Sequence, residues 1–212
     1  MRVHRDRPPV LALEGPCLAG KTTLVRDIAA ALGARSTVLT VPCYVDLAEG
    51  RPLPRLDAYD AASQYNAIRF FLEIENTRSR ILRLARHADL VVIDRSVDTL
   101  LAHVYALDHL YGIGALPRSQ QLINNTPGVI RPDLTIHLDV PPATIRERVS
   151  TRPGFPELLV REDFNTYFNQ YFDTSSQCVA RRVVKLDATL CRQESTSRAT
   201  EQVISHGLLL AA

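Results

Sequence analysis

The stretch that decides the fold is "VLALEGPCLAGKTTLVRDIAAAL", residues 10–32. Its first five residues, "VLALE", form a short apolar run that a glycine ends. Such a run, bounded by a Gly-containing loop, reads as a buried strand. From Lys21 the period changes. Leu24, Val25, Ile28, Ala31 and Leu32 fall on one face at helical spacing, and Gly33 marks the stop. Between strand and helix, Gly15-Pro16-Cys17-Leu18-Ala19-Gly20-Lys21-Thr22 fits G-x-x-x-x-G-K-[ST], the phosphate-binding loop.

That motif has explicit physical requirements. Backbone N–H groups must curl around a phosphate, which asks for glycine where dihedrals are unusual or approach is close. The helix that follows adds the partial positive charge of its N-terminus. Lys21 is a flexible point charge for the β- and γ-phosphates, and Thr22 offers a hydroxyl to Mg²⁺. The lysine is notable for its setting. Lys21 and Lys185 are the only lysines among 25 basic residues. The loop chooses the compact ammonium in a chain that otherwise uses arginine.

Working outward, short apolar runs alternate with amphipathic stretches. Strands are expected at 36–41, 89–94, 132–140 and 181–189, with helices over 59–86, 97–110, 118–125, 142–150, 162–178 and 195–210. The strands are nearly continuous apolar runs, as in a parallel sheet covered on both faces. In such sheets the ligand sits beyond the carboxyl ends of the strands. The site is therefore expected near 15–22, 42–46, 94–95 and the loops after Asp139 and Asp187. Asp94 closes the apolar run "LVVID", the usual place for a Mg²⁺-water ligand or a catalytic carboxylate. Arg95 beside it suits a phosphate. Thr22 and Asp94 are the expected metal residues.

Composition narrows the class. A net charge of +2 over 212 residues, with no basic run, does not point to nucleic acid. Cys17, Cys43, Cys178 and Cys191 lack metal-binding spacing and read as free thiols. Arg2, Arg5 and Arg7 before "VLAL" mimic a signal sequence, but Glu14 ends the apolar patch after four residues. No apolar run reaches membrane-spanning length. The expectation is a cytoplasmic chain forming a single domain over 1–212, with a lid at about 150–162.

Further segments bear a resemblance. "LEGPCLAGKTTL" (13–24), "VVIDRSVDTLLA" (91–102), "RPDLTIHLDVPPATIRERV" (131–149), "REDFNTYFNQYF" (161–172) and "VVKLDAT" (183–189) resemble the thymidylate kinase family of nucleoside monophosphate kinases, with the deoxynucleoside kinases as relatives. The resemblance covers nearly the whole chain. It implies a P-loop NTP hydrolase-type α/β three-layer sandwich, with a five-stranded parallel sheet between helices and a short Arg-bearing lid. It implies ATP and Mg²⁺ held by Gly15, Pro16, Cys17, Ala19, Gly20, Lys21, Thr22 and Thr23, with Ala188 and Thr189 flanking adenine. It makes Lys21, Asp94 and Arg95 catalytic. Arg146, Arg148, Arg152 and Arg161 become candidate lid arginines, of which Arg152 and Arg161 are preferred. It also suggests a homodimer through the long helices.

The departures from the family gather on the acceptor side. Thymidylate kinases carry an Asp in the loop where this chain has Cys17. Their Glu-Pro after the second strand is Val41-Pro42. Their long-helix Arg falls at Glu75, with Arg69 and Arg78 nearby, and their Tyr-Gln pair is His103-Val104. Deoxynucleoside kinases read the base with a Gln, which Gln64 matches. They place a carboxylate base where Val41 stands, which leaves Asp46 or Asp94 for that role. Tyr44, Asp46, Gln64, Arg69, Arg95 and His103 are the candidate acceptor-binding residues. Tyr44, Tyr65, Phe70, Phe71 and Tyr105 are candidates to stack on a base, with Phe71 and Tyr105 the weakest. The first reading is an ATP-dependent kinase of a small nucleotide-like acceptor, most simply a nucleoside monophosphate. A nucleoside kinase, or another small-molecule kinase, is the alternative. A non-catalytic nucleotide-binding regulator is a third.

Overall fold

A computed structural model describes residues 7–151, 154–174 and 177–209. The first strand, β1 (Val10–Glu14), is buried along its whole length and leads into α1 (Lys21–Gly33). There follow β2 (Val38–Val41), α2 (Ala61–Leu84), β3 (Leu90–Asp94), α3 (Val97–Tyr111) and α4 (Leu116–Asn125). The second half supplies β4 (Leu134–Asp139), α5 (Pro142–Ser150), α6 (Glu162–Asp173), β5 (Val183–Asp187) and α7 (Arg192–Ser205). All strand pairs are parallel, in the order β2-β3-β1-β4-β5. This is the α/β sandwich expected from the sequence.

Alternation along the central strands sorts side chains between two layers. Leu11, Leu13, Leu134, Ile136 and Leu138 join Leu24, Val25 and Ile28 of α1 and Ala199 and Val203 of α7 in one core. Val10, Ala12, Val91 and Ile93 face the opposite way, with Ile81 and Leu82 of α2 against them. The largest cluster fills the space between α2, α3 and α6. Of the expected α1 face, Leu24, Val25 and Ile28 are buried, Leu32 is half-buried and Ala31 is exposed.

Several boundaries move from their expected places. The helix expected to run to 178 stops at Asp173. The buried carboxylate of Asp98 draws the chain back, accepting from Tyr171 Oη (2.8 Å), Val179 N (2.7 Å) and Ala180 N (3.1 Å). The last helix begins at Arg192 and ends at Ser205, where 195–210 was expected. Arg192 is anchored to Asp27 of α1, Nε to Oδ2 at 2.6 Å. The strands β2, β4 and β5 are shorter than the runs that predicted them, spanning Val38–Val41, Leu134–Asp139 and Val183–Asp187. Strand order reverses about β1, so the loop after it opens into the crevice where such sheets bind ligands. No helix among the described residues is long and apolar enough to cross a membrane.

Candidate active site

The loop after β1 is shaped for an anion. Gly15 has φ +138°, and a Cβ there would lie 2.7 Å from Leu138 O of β4. Only glycine permits that approach. Gly20, at φ +95°, is the Ncap of α1, which has no side-chain cap and no acid in its first turn. Its first N–H groups are left for a ligand rather than answered by the chain. Lys21 is 6% exposed, and its Nζ donates to Pro16 O at 2.6 Å. Burial, and then the charge of Arg95, lower its pKa to about 8. A buried cation bonded to a neutral carbonyl is suited to meeting an anion. Thr22 Oγ1 donates to Asp94 Oδ2 at 2.6 Å, bringing the two expected metal residues into contact between the start of α1 and the end of β3. A cradle without a Cβ, an uncapped helix end, a buried ammonium and a hydroxyl–carboxylate pair fit Mg²⁺ and a nucleotide triphosphate.

Behind the loop the chain is braced by Arg95, which the sequence singled out, and by Glu14, Ser96, Glu75 and Arg78, to which it assigned no role. Glu14 is fully buried, and its Oε1 accepts from Ser96 N (2.6 Å) and Ser96 Oγ (2.8 Å). Among the described residues its Oε2 has no hydrogen-bond partner. Burial raises its pKa to about 7, against a smaller opposing pull from Arg95. Arg95 sits at φ +67°, unusual for a side-chain-bearing residue and a form of stored strain at a site. Its N–H donates to Leu13 O (3.0 Å), and its guanidinium to Gly15 O (3.2 Å) and Thr99 Oγ1 (2.5 Å), with Cys17 Sγ at 3.8 Å. Arg78 holds the same segment from α2, donating to Asp94 O (3.1 Å) and Arg95 O (2.6 Å). Arg78 is itself wholly buried, paired with Glu75 at 3.0 Å and stacked 4.3 Å from the Tyr44 ring centroid. Glu75 also accepts from Tyr44 Oη (2.9 Å) and Ile130 N (3.0 Å). The departure at Glu75 and the nearby Arg78 are thus two halves of one buried ion pair.

On the other side of Arg95 lies a cavity of ≈ 150 Å³ between α2, α3 and α6. Its walls are mostly apolar, with Phe71, Phe164 and Phe168 contributing rings. Its polar margin includes Tyr44, Gln64, Thr99, His103 and Asn165. Tyr44, Gln64, Arg95 and His103 therefore meet at one cavity, together with Pro16 and Cys17 of the phosphate loop. Asp46 and Arg69 do not join them. Both are exposed: Asp46 on a 3-10 turn after β2, and Arg69 on the outer side of α2. Of the aromatic candidates, Tyr44 and Phe71 line the cavity. Phe70 lies under Arg51, Tyr65 under Arg118, and Tyr105 against Tyr171 and His109. Phe164, Phe168 and Asn165 were not singled out in the sequence. Their signal was the amphipathic period of "REDFNTYFNQYF", which marks a core face but not which core.

The arginines near the lid differ in placement. Arg148 donates to Leu18 O (2.8 Å) and Ala188 O (2.9 Å), bracing the phosphate loop against the loop after β5. Ala188 is buried there, and Thr189 is tied to Asp187 Oδ1. Arg146 pairs with Glu162 in solvent at 2.8 Å. Arg161 is held by Asp163 and by Tyr111 Oη at 2.6 Å. Arg152 lies outside the described residues.

No protein-family model matches this chain, and no curated protein sequence matches it. Solved structures do. The chain is similar to deoxyadenosine kinase from M. mycoides with bound dATP, at a TM-score of 0.63 and 18% identity. It is similar to the same enzyme with bound dCTP (TM-score 0.62, 18% identity) and with the products dCMP and a flexible dCDP (0.61, 17%). Each comparison covers 92% of this chain and 98% of the other. At that identity the likeness shows a shared fold.

Proposed function

We propose that this protein is an ATP-dependent nucleoside kinase, transferring a phosphoryl group to a hydroxyl of a neutral nucleoside. The observation that carries the reading is the charge of the acceptor cavity. Among the described residues that line it, Arg95 is the one cation. Arg78 is buried and committed to Glu75 and backbone carbonyls, and Arg69 is exposed outside. A monophosphate acceptor would bring a dianion into apolar walls with a single guanidinium to answer it, an expensive burial. A nucleoside brings no charge. The likeness to deoxyadenosine kinase supports the same choice over a monophosphate kinase.

Mg²⁺-ATP, when bound, supplies the phosphoryl group and its charge neutralisation. The chain's own part is positioning and electrostatics. The uncapped α1 and Lys21 would hold the β- and γ-phosphates. Thr22 and Asp94 would hold the metal ion. Arg95, fixed by Arg78, Gly15 and Thr99, would meet the charge of the transferred group. Asp46 is exposed and the described residues lining the cavity include no carboxylate, so Asp94, hydrogen-bonded to Thr22, would be the acid that takes the hydroxyl proton. The segment at about 150–162 would close as a lid, Arg152 and Arg161 included, and Ala188 and Thr189 would flank adenine.

An assay of ATP consumption across nucleosides and nucleoside monophosphates tests this. Nucleosides are expected to be turned over and monophosphates not. Turnover confined to monophosphates would replace this reading with the monophosphate kinase, and no turnover would leave a nucleotide-binding regulator. Asp94→Asn is expected to lower kcat by about 10²-fold or more and to raise the Mg²⁺ concentration needed.

A further inference from the structure

The cavity between α2, α3 and α6 is small for a ligand. Its ≈ 150 Å³ falls well short of ordinary ligand pockets, which start at about 300 Å³. A nucleoside enters only if a wall gives way. Two segments outside the long helices contribute walls: Leu56 from residues 52–59, which precede α2, and Leu159 from the 3-10 turn Glu157–Val160, which precedes α6. Among the described residues no backbone–backbone hydrogen bond holds 52–59. Side chains place that segment instead. His103 Nε2 meets Leu56 O at 2.9 Å, and Gln64 Nε2 donates to Ala58 O at 2.6 Å. The second segment is tied down by Asn165 Nδ2, which donates to Leu159 O at 3.2 Å and Arg161 O at 2.8 Å. Both segments also lean on Tyr111, the last residue of α3. The Tyr59 ring centroid lies 4.3 Å from that of Tyr111. Arg161 Nη1 donates to Tyr111 Oη at 2.6 Å, and Arg161 Nε is held by Asp163 at 3.0 Å. Tyr59 and Tyr111 are 50% and 38% exposed, and neither lines the cavity. Burial in the core does not account for their pairing.

We infer that Tyr111 is a positioning residue that latches residues 52–59 and the segment ending at Arg161 together over this cavity, and so governs passage into it. The fixed member is α3, which is buried repeatedly between Val97 and Leu107. Its terminal ring carries one segment and its hydroxyl the other, so neither wall moves without breaking a contact to Tyr111. The latch is made with the cavity empty and is made again once a ligand is inside. Losing it therefore lowers the barrier in both directions and speeds entry and exit together. A side chain that touches the ligand would act differently, chiefly on exit. The inference rests on the nucleoside kinase reading for what enters the cavity, but the latch itself is a property of the empty protein.

Two measurements on the full chain test this, one with ligand and one without. Surface plasmon resonance with deoxyadenosine, deoxycytidine and thymidine as probes, in the absence of ATP, gives association and dissociation rates. In Tyr111→Ala both rates are expected to rise about tenfold, the equivalent of one hydrogen bond and one aromatic pair, with Kd changed by less than about threefold. Tyr111→Phe keeps the ring and loses the hydroxyl, and its rates are expected to rise about threefold. Without ligand, trypsin cleavage after the exposed Arg55 reports release of 52–59. Cleavage is expected to be about tenfold faster in Tyr111→Ala and in Tyr59→Ala, close to wild type in Tyr111→Phe, and unaccompanied by a fall in melting temperature. Should Tyr111→Ala fail to fold, Tyr59→Ala and Tyr111→Phe carry the same test. Unchanged rates, a weaker Kd carried by dissociation alone, unchanged cleavage, or faster cleavage that merely follows a lower melting temperature overturns the inference. If none of the probes binds the wild-type chain, the nucleoside reading fails, and cleavage after Arg55 decides the latch by itself.

Discussion

Lys21 shows how far a single residue can be read. Its place in G-x-x-x-x-G-K-[ST] leads to the role expected of it. What the sequence could not give is its burial, the bond to Pro16 O and the nearby Arg95 that bring its pKa to about 8. A bound triphosphate favours the ammonium, so nucleotide binding should take up a proton near pH 8, on the order of half a proton per site. Calorimetry in buffers of different ionisation enthalpy between pH 7 and 9 measures this, and buffer-independent binding heats would refute it. Lys21→Ala is expected to lower turnover by at least about 10²-fold, as for other lost transition-state donors. Its melting temperature should not fall, since the change deletes a buried charge without a carboxylate partner. A turnover close to wild type would remove Lys21 from the mechanism. Cys17 is sharpened differently: it stands where thymidylate kinases carry an Asp, and here it lies beside Arg95 and lines the cavity between α2, α3 and α6.

At the scale of elements, α2 carries the strongest contrast between legible and illegible. Its existence follows from period and length, and Asp60 caps it by accepting from Ser63 N at 2.8 Å. Its functional content depends on one turn, where Glu75 and Arg78 at i, i+3 form a pair that neither solvent nor sequence periodicity reveals. Breaking that pair leaves a buried guanidinium unanswered and releases Tyr44 and Ile130 as well. Glu75→Gln is expected to destabilise the fold by about 3–5 kcal/mol. Tyr44→Phe, which removes one hydrogen bond and leaves the ion pair, is expected to cost about 1 kcal/mol. Urea unfolding of both variants checks the order; a loss below that of Tyr44→Phe for Glu75→Gln would mean the pair is not what holds Arg95 and Tyr44 together. The ends of α6 and α7 were misplaced in the sequence for a related reason. Asp98 and Asp27 set them through contacts distant in the chain.

For the whole molecule, Glu14 links the sheet to the site, joining β1 to the first residue before α3 through Ser96. Burial raises its pKa from 4.5 to about 7. The folded state therefore holds a proton that the unfolded state has released, and stability falls as pH rises from 4.5 through 7. The size of this contribution is at most about 3 kcal/mol. Glu14→Gln keeps an acceptor for Ser96 and cannot ionise, so the stability difference between variant and wild type should grow in the variant's favour over that window. Urea unfolding at pH 5 and pH 7.5 measures it; a difference independent of pH would show that Glu14 does not titrate there. The sequence alone determined the sheet, its helices and the phosphate loop, because each depends on short-range pattern: apolar period, glycine at strained dihedrals and a lysine opening a helix. Tertiary structure decided the acceptor side. Gln64, His103, Phe164 and Asn165 come from three helices, and only packing brings their side chains to one cavity, while Arg69, on the same helix as Gln64, and Asp46 turn to solvent. Local pattern records which face of a helix is buried, whereas a binding site depends on what that face is buried against.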